Sequence, residues 1–197
     1  MADWEIGFFT AELRSKRFLS KNRDVVLKFV GKDLEPVKSM GGAVYYPDIA
    51  LSRVSFREGD VLILPGSDNW GSVDDEALRE LVEDFENQPA RIAAICGATL
   101  FLSQLNVLNR VKHTSNDVAL LKMMNTRYEG EELYVPEDVV VTDKVITASG
   151  LAPLAFSYEV LKALDVMKEE TLESWYRLYR FKRGEDFFAL QESLGGV

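Results

Sequence analysis

One residue in the chain combines the chemistry and the setting of a nucleophile. Cys96 is the only cysteine. It stands in Ala94-Ile95-Cys96-Gly97-Ala98, where the apolar run Arg91 to Ile95 gives way to helical spacing from Leu100 to Leu108. Small–x–nucleophile–x–small at a strand-to-helix junction is the pattern of a tight elbow, whose central residue takes a strained backbone and whose neighbours must be small. The following helix would turn free N–H groups and its positive dipole end toward the sulfur, lowering the thiol pKa. A buried structural cysteine fits the same spacing, because lone cysteines are among the most buried residues.

Other segments could complete such a site. Leu64-Pro65-Gly66-Ser67-Asp68-Asn69-Trp70 follows a second buried strand and should lie beside the elbow, where the Gly66 N–H could meet an oxyanion. A Pro-Gly-Ser-Asp turn would also form for purely local reasons. His113, in Lys112-His113-Thr114-Ser115-Asn116, is the only histidine and the residue type most often used as base for a thiol. A polar residue on a short strand is the plainer alternative. Glu5 could share a proton with a nearby thiolate if partly buried, or simply be an acid in a first helical turn. Thr147-Ala148-Ser149-Gly150 ends a strand near the same sheet edge and could line the pocket.

These residues need a scaffold, and the pattern supplies one. Apolar residues at helical spacing run from Trp4 to Phe18, with Asp3 as a candidate cap. Val25 to Val30 reads as a strand, Ala43 to Tyr46 as a short extended piece, and Asp60 to Leu64 and Arg91 to Ile95 as strands buried on both faces. Asp74 to Glu86 reads as an amphipathic helix. Val111 to Ser115 is extended, a helix falls near Asp117 to Arg127, and Val139 to Val141 with Val145 to Ala148 forms a hairpin. Leu154 to Leu164 is helical, and one long aromatic-rich helix is expected from Thr171 to Leu194. Alternating strands and helices predict a mostly parallel sheet covered on both faces, with its site beyond the carboxyl ends of the strands. Residues 1–197 read as a single domain.

Composition narrows the function. The chain carries 23 basic and 32 acidic residues, a net charge of −9, which argues against nucleic acid as partner. The cluster Arg177, Arg180, Lys182 and Arg183 alternates with aromatics, as a packing helix would. A single cysteine makes no internal disulfide. There is no signal-peptide pattern at the N-terminus and no membrane-spanning apolar run, so a cytoplasmic location without membrane contact is expected. One histidine and one cysteine make a four-ligand zinc site difficult to assemble, and no metal or cofactor is expected.

Taken together, Ala93-Ala94-Ile95-Cys96-Gly97-Ala98-Thr99 and Lys112-His113-Thr114-Ser115-Asn116 resemble the PfpI-type intracellular protease/amidase family, within the class I glutamine amidotransferase-like superfamily. Ala2-Asp3-Trp4-Glu5, Ser39-Met40-Gly41-Gly42, Leu62-Ile63-Leu64-Pro65-Gly66 and Ile146-Thr147-Ala148-Ser149-Gly150 match in the same order, across nearly the whole chain. The resemblance implies a flavodoxin-like three-layer sandwich and a homodimer. It implies Cys96 as nucleophile, Glu5 as its acid partner, and the Gly66 and Gly97 amides as an oxyanion site, with Ser67 and Asn116 beside it. Four features depart from the family pattern. Gly97 stands where many relatives carry histidine. Asn116 matches a position where others do, and His113, an odd number of residues earlier, would face the other way on a regular strand. Gly66-Ser67 replaces a Gly-Gly pair. The sequence also opens at Ala-Asp-Trp-Glu, so the family's usual central first strand is expected to be lacking.

The resemblance implies a cysteine hydrolase acting on a peptide or amide, with His113 as the available base. A thiol enzyme for small reactive carbonyls needs only Cys96 and Glu5. A non-enzymatic oxidant sensor needs only an oxidisable Cys96.

Overall fold

A computed structural model describes residues 1–195 except 22 and 74. Its centre is a four-stranded sheet built from the runs with the most continuous apolar character. Those strands are β5 (Val61–Leu64), β6 (Arg91–Ile95), β7 (Val139–Val141) and β8 (Val145–Ala148). The order is β5-β6-β8-β7, with β5, β6 and β8 parallel and β7 antiparallel at the edge. Four two-residue strands precede them: β1 (Val30–Gly31), β2 (Val37–Lys38), β3 (Val44–Tyr45) and β4 (Ile49–Ala50). β1 pairs in parallel with β4, and β2 pairs antiparallel with β3, both apart from the main sheet.

Helices α1 (Asp3–Ser15), α2 (Glu76–Asn87), α3 (Gly97–Gln104), α4 (Val118–Met124), α5 (Pro153–Ala163), α6 (Glu169–Phe181) and α7 (Gly184–Ser193) complete the chain. Side chains alternate across a strand, so β6 feeds two cores. Ala93 and Ile95 join Ile146, Ala148, Phe9, Phe156 and Trp175 on the α1/α5/α6 face. Ile92 and Ala94 join Val145, Val82, Phe85, Phe101 and Leu102 on the α2/α3 face. This is the expected flavodoxin-like three-layer sandwich.

Two expectations change. Val25 to Val30 is not a strand of the main sheet. Val25, Leu27 and Phe29 rest against the α1-side core, but only Val30 enters a ladder, with β4. Among the described residues β5 therefore has a ladder partner on one side only. The long C-terminal helix is two helices: Lys182 adopts φ 57°, ending α6, and α7 starts at Gly184. The break is fastened by Asp186, a buried carboxylate that accepts from Arg177 Nε at 2.9 Å and Arg183 Nε at 2.8 Å. The start expected for α2, Asp74, lies outside the described residues. Asp75 caps that helix, its side chain accepting from the Leu78 N–H. No helix among the described residues is long and apolar enough to cross a membrane.

Candidate active site

The elbow is present. β6 stops at Ile95, α3 starts at Gly97, and Cys96 between them has φ 59° and ψ −129°, a combination that a non-glycine residue adopts only when its surroundings hold it there. Its N–H donates to Ala148 O at 3.0 Å, and its carbonyl accepts from Thr99 N and, at 2.6 Å, from Thr99 Oγ1. Glycines leave room for the turn. A Cβ on Gly97 would lie 2.7 Å from Ser67 O, and one on Gly150 would lie 2.7 Å from the Cys96 sulfur. The requirement for small neighbours thus extends to Gly150, a residue distant in sequence.

Two side chains address the sulfur. Asn116 Nδ2 donates to Sγ at 3.3 Å, while its Oδ1 accepts the Gly150 N–H at 2.8 Å; the second bond fixes which end of the amide faces the thiol. Glu5 is fully buried, and its Oε2 accepts the Gly66 N–H at 2.5 Å. Its Oε1 has no partner of hydrogen-bonding geometry. The thiol is close enough that the two groups shift each other's titration.

Several contacts around the start of α1 hold Glu5 in this position. Ala2 N–H donates to Gly66 O at 2.8 Å, Met40 N–H to Met1 O at 3.0 Å, and Gly41 N–H to the Asp3 carboxylate at 2.7 Å. Two turns further along α1, Glu12 is buried and accepts from Trp175 Nε1 of α6 at 2.9 Å and from Arg17. Both ends of the helix that carries Glu5 are therefore pinned.

The electrostatics differ from the expected low-pKa thiolate. Burial is the largest cause raising the Cys96 pKa, and the Glu5 charge adds to it; the Asn116 amide and the Gly97 N–H act against them. Burial likewise raises the Glu5 pKa, opposed by the Gly66 N–H and the thiol. The helix N-terminus is real, but desolvation and a neighbouring carboxylate outweigh it. Both shifts run toward the protonated forms, so the sulfur and the carboxyl group compete for one negative charge.

Gly66 and His113 change roles relative to expectation. The Gly66 N–H is committed to Glu5, so it is not free for an oxyanion while that carboxyl is in place. Gly97 borders the sulfur, and Ser67 lines the same cavity. His113 is brought elsewhere. It is fully buried and accepts or donates at both ring nitrogens: Nδ1 to Val111 O at 2.8 Å and Nε2 to Tyr128 Oη at 2.6 Å. A carbonyl only accepts, so Nδ1 carries the proton and Nε2 accepts from the phenol. Burial lowers the His113 pKa and pushes that of Tyr128 up to about 12. The structure thus does not assemble a Cys96–His113 dyad.

A cavity of about 150 Å³ opens at the thiol, lined by Cys96, Gly97, Ser67 and Asn116 and walled by Trp70, Leu100, Leu120 and Met124. Sequence reasoning missed that wall. The available signal was Leu120 and Met124, four apart on one helical face, beside a tryptophan just past the Pro-Gly turn. Among the described residues no group of three or more His, Cys, Asp or Glu could hold a metal.

A doubly covered, mostly parallel sheet with a strained cysteine at a strand-to-helix elbow and a buried glutamate against it defines a class of cysteine-centred α/β proteins. The chain belongs to the DJ-1/PfpI family, whose model matches residues 1–163. It is 40% identical over 195 residues to the uncharacterized protease YoaZ of Bacillus subtilis, covering 98% of this chain and 93% of that protein. It is 31% identical over 140 residues to the glutathione-independent glyoxalase DJR-1.2 of Caenorhabditis elegans, covering 70% and 72%. The crystal structure of a ThiJ/PfpI family protein from Bacillus anthracis superposes with a TM-score of 0.93 at 38% identity, over 98% of this chain and 92% of that one. Proteins similar to this one thus carry both protease and glyoxalase names.

Proposed function

We propose that the protein is a cysteine-dependent enzyme for small reactive carbonyls, converting 2-oxoaldehydes to 2-hydroxy acids. The observation that carries this reading is the Cys96–Glu5 pair at a small cavity, with the single histidine engaged elsewhere. A carboxylate is a sufficient base for this chemistry. Glu5 takes the thiol proton as sulfur bonds to the aldehyde carbon, and the resulting alkoxide is protonated to a hemithioacetal. The same carboxylate then removes the C1 proton, giving an enediol. Protonation at C2 gives a thioester, and water breaks its C–S bond to release the hydroxy acid and the thiol. The aldehyde carbon is oxidised and the ketone carbon reduced within one molecule, so no external oxidant is needed. The Asn116 amide and the Gly97 N–H supply donors near the reacting carbon. Similarity to a protein named as a glyoxalase agrees with this.

The test is incubation with methylglyoxal and assay of lactate. Turnover lost in Cys96→Ala supports the reading; wild-type turnover no higher than that of Cys96→Ala overturns it. Peptidase or amidase action is the second reading, favoured by similarity to a protein named as a protease. It requires a base other than His113 and a peptide able to reach the thiol through a cavity of about 150 Å³. Cleavage of unfolded casein that Cys96→Ala abolishes would favour it instead. A sensor role is less well supported, because burial and the Glu5 charge raise the thiol pKa, away from the more oxidisable thiolate.

A further inference from the structure

The cavity wall is more specific than a carbonyl site requires. Trp70 sits in the loop after β5, its Nε1 donating to Pro65 O at 2.7 Å and its ring packed against Phe101 with centroids 5.1 Å apart. The ring edge reaches the elbow: a Cβ on Gly97 would lie 3.4 Å from Trp70 Cδ1. Gly71 packs directly on the opposite wall, since a Cβ there would meet Met124 Cε at 3.4 Å and Leu100 Cδ2 at 3.5 Å. The loop is further held by Gln104 Nε2, which donates to Gly71 O at 3.4 Å. Leu120 and Met124 face the same space while staying 38% and 49% exposed, so the wall is open to an incoming group rather than sealed in a core. Among the described lining residues the one charged side chain is the exposed Asp68, and none is Lys, Arg or His.

We propose that Trp70, Leu100, Leu120 and Met124 form a substituent subsite that selects neutral 2-oxoaldehydes bearing an apolar group up to the size of a phenyl ring, and that the site rejects anionic carbonyl compounds. This rests on the carbonyl-processing reading for its substrate, but the selectivity belongs to the cavity itself. Size supports it, because the cavity as a whole, at about 150 Å³, is on the scale of those that admit one benzene ring, and the wall formed by Trp70, Leu100, Leu120 and Met124 is its apolar side. Charge supports it too: a carboxylate entering would meet Asp68 and, below the thiol, Glu5, with no cation among the lining residues to offset them.

The test separates binding preference from turnover. Alkylation of Cys96 is followed with iodoacetamide, iodoacetate and N-phenyliodoacetamide, each rate divided by that for glutathione under the same conditions. In each case sulfur displaces iodide and the thiol proton leaves to base. Relative to iodoacetamide, iodoacetate should be slower by about tenfold or more and the phenyl reagent faster by about fivefold. Asp68→Asn should narrow the iodoacetate gap, and Met124→Ala should shrink the phenyl advantage. Equal normalised rates for the three reagents, or a phenyl advantage indifferent to Met124→Ala, would overturn the proposal. In parallel, kcat/KM for phenylglyoxal should match or exceed that for methylglyoxal. Selective alkylation without turnover of either aldehyde supports the subsite and refutes the carbonyl-processing reading. Turnover with unselective alkylation does the reverse.

Discussion

Two corners of this protein, one buried and one half-buried, look alike in sequence and differ in what surrounds them. His113 and Cys96 are each the only residue of their type, and each lies at or just past an extended segment. Around His113 every polar atom is used: both ring nitrogens are bonded, and Gly130 packs against the ring so closely that a Cβ would meet Cε1 at 3.0 Å. Around Cys96 the accounting is left open. The backbone is strained, a carboxylate oxygen lacks a partner, and a cavity adjoins the sulfur. A buried polar group with all its partners stabilises a fold; one with partners missing beside a cavity is available for chemistry.

The sharpest way to break that contrast is to remove each group. Cys96→Ala should abolish lactate formation, a loss on the order of 10³ or more. Glu5→Gln should lower kcat/KM by about 10² while making the protein more stable at neutral pH. The sign follows from the raised Glu5 pKa: its stabilising contribution is present below the unfolded value of about 4.3 and lost as pH rises through the folded value. At pH 7 the buried charge is a liability that Gln removes, so the melting temperature should rise, and the gain should shrink as pH falls toward 4. His113→Ala should do the opposite. It should cost about 2–3 kcal/mol in urea unfolding, by leaving a cavity and an unpaired Tyr128 hydroxyl, yet keep kcat/KM per folded molecule within about twofold. The smallest effect is a pH slope. Because burial lowers the His113 pKa, its contribution is intact above the unfolded value of about 6.5 and is lost as pH falls toward the folded one. His113→Ala should lack that slope.

The sheet was readable because continuous apolar runs such as Arg91–Ile95 and Val145–Ala148 have few alternatives to a doubly buried strand. The elbow was readable because a strained turn demands small neighbours. The pairing of Cys96 with Glu5 was carried by resemblance alone, since nothing local in Trp4-Glu5 says that α1 is pinned by Glu12, Asp3 and Ala2 so as to bury that carboxyl. The strand expected at Val25 to Val30 failed because β-propensity needs a ladder partner, and β5 does not supply one there. The break at Lys182 depends on Asp186 gathering two arginines, a contact that helical periodicity does not encode. The burial that raises the thiol pKa was not legible, because the helix dipole is visible in sequence, whereas desolvation is a property of the folded surroundings.

The central claim is that Glu5 governs the protonation of Cys96, and the pH dependence of Cys96 alkylation by iodoacetamide tests it most directly. In the wild type the midpoint should lie above the free-thiol value of about 8.5, and Glu5→Gln should move it down by removing the adjacent negative charge. A wild-type midpoint below that value, or one that Glu5→Gln leaves in place, would contradict the account.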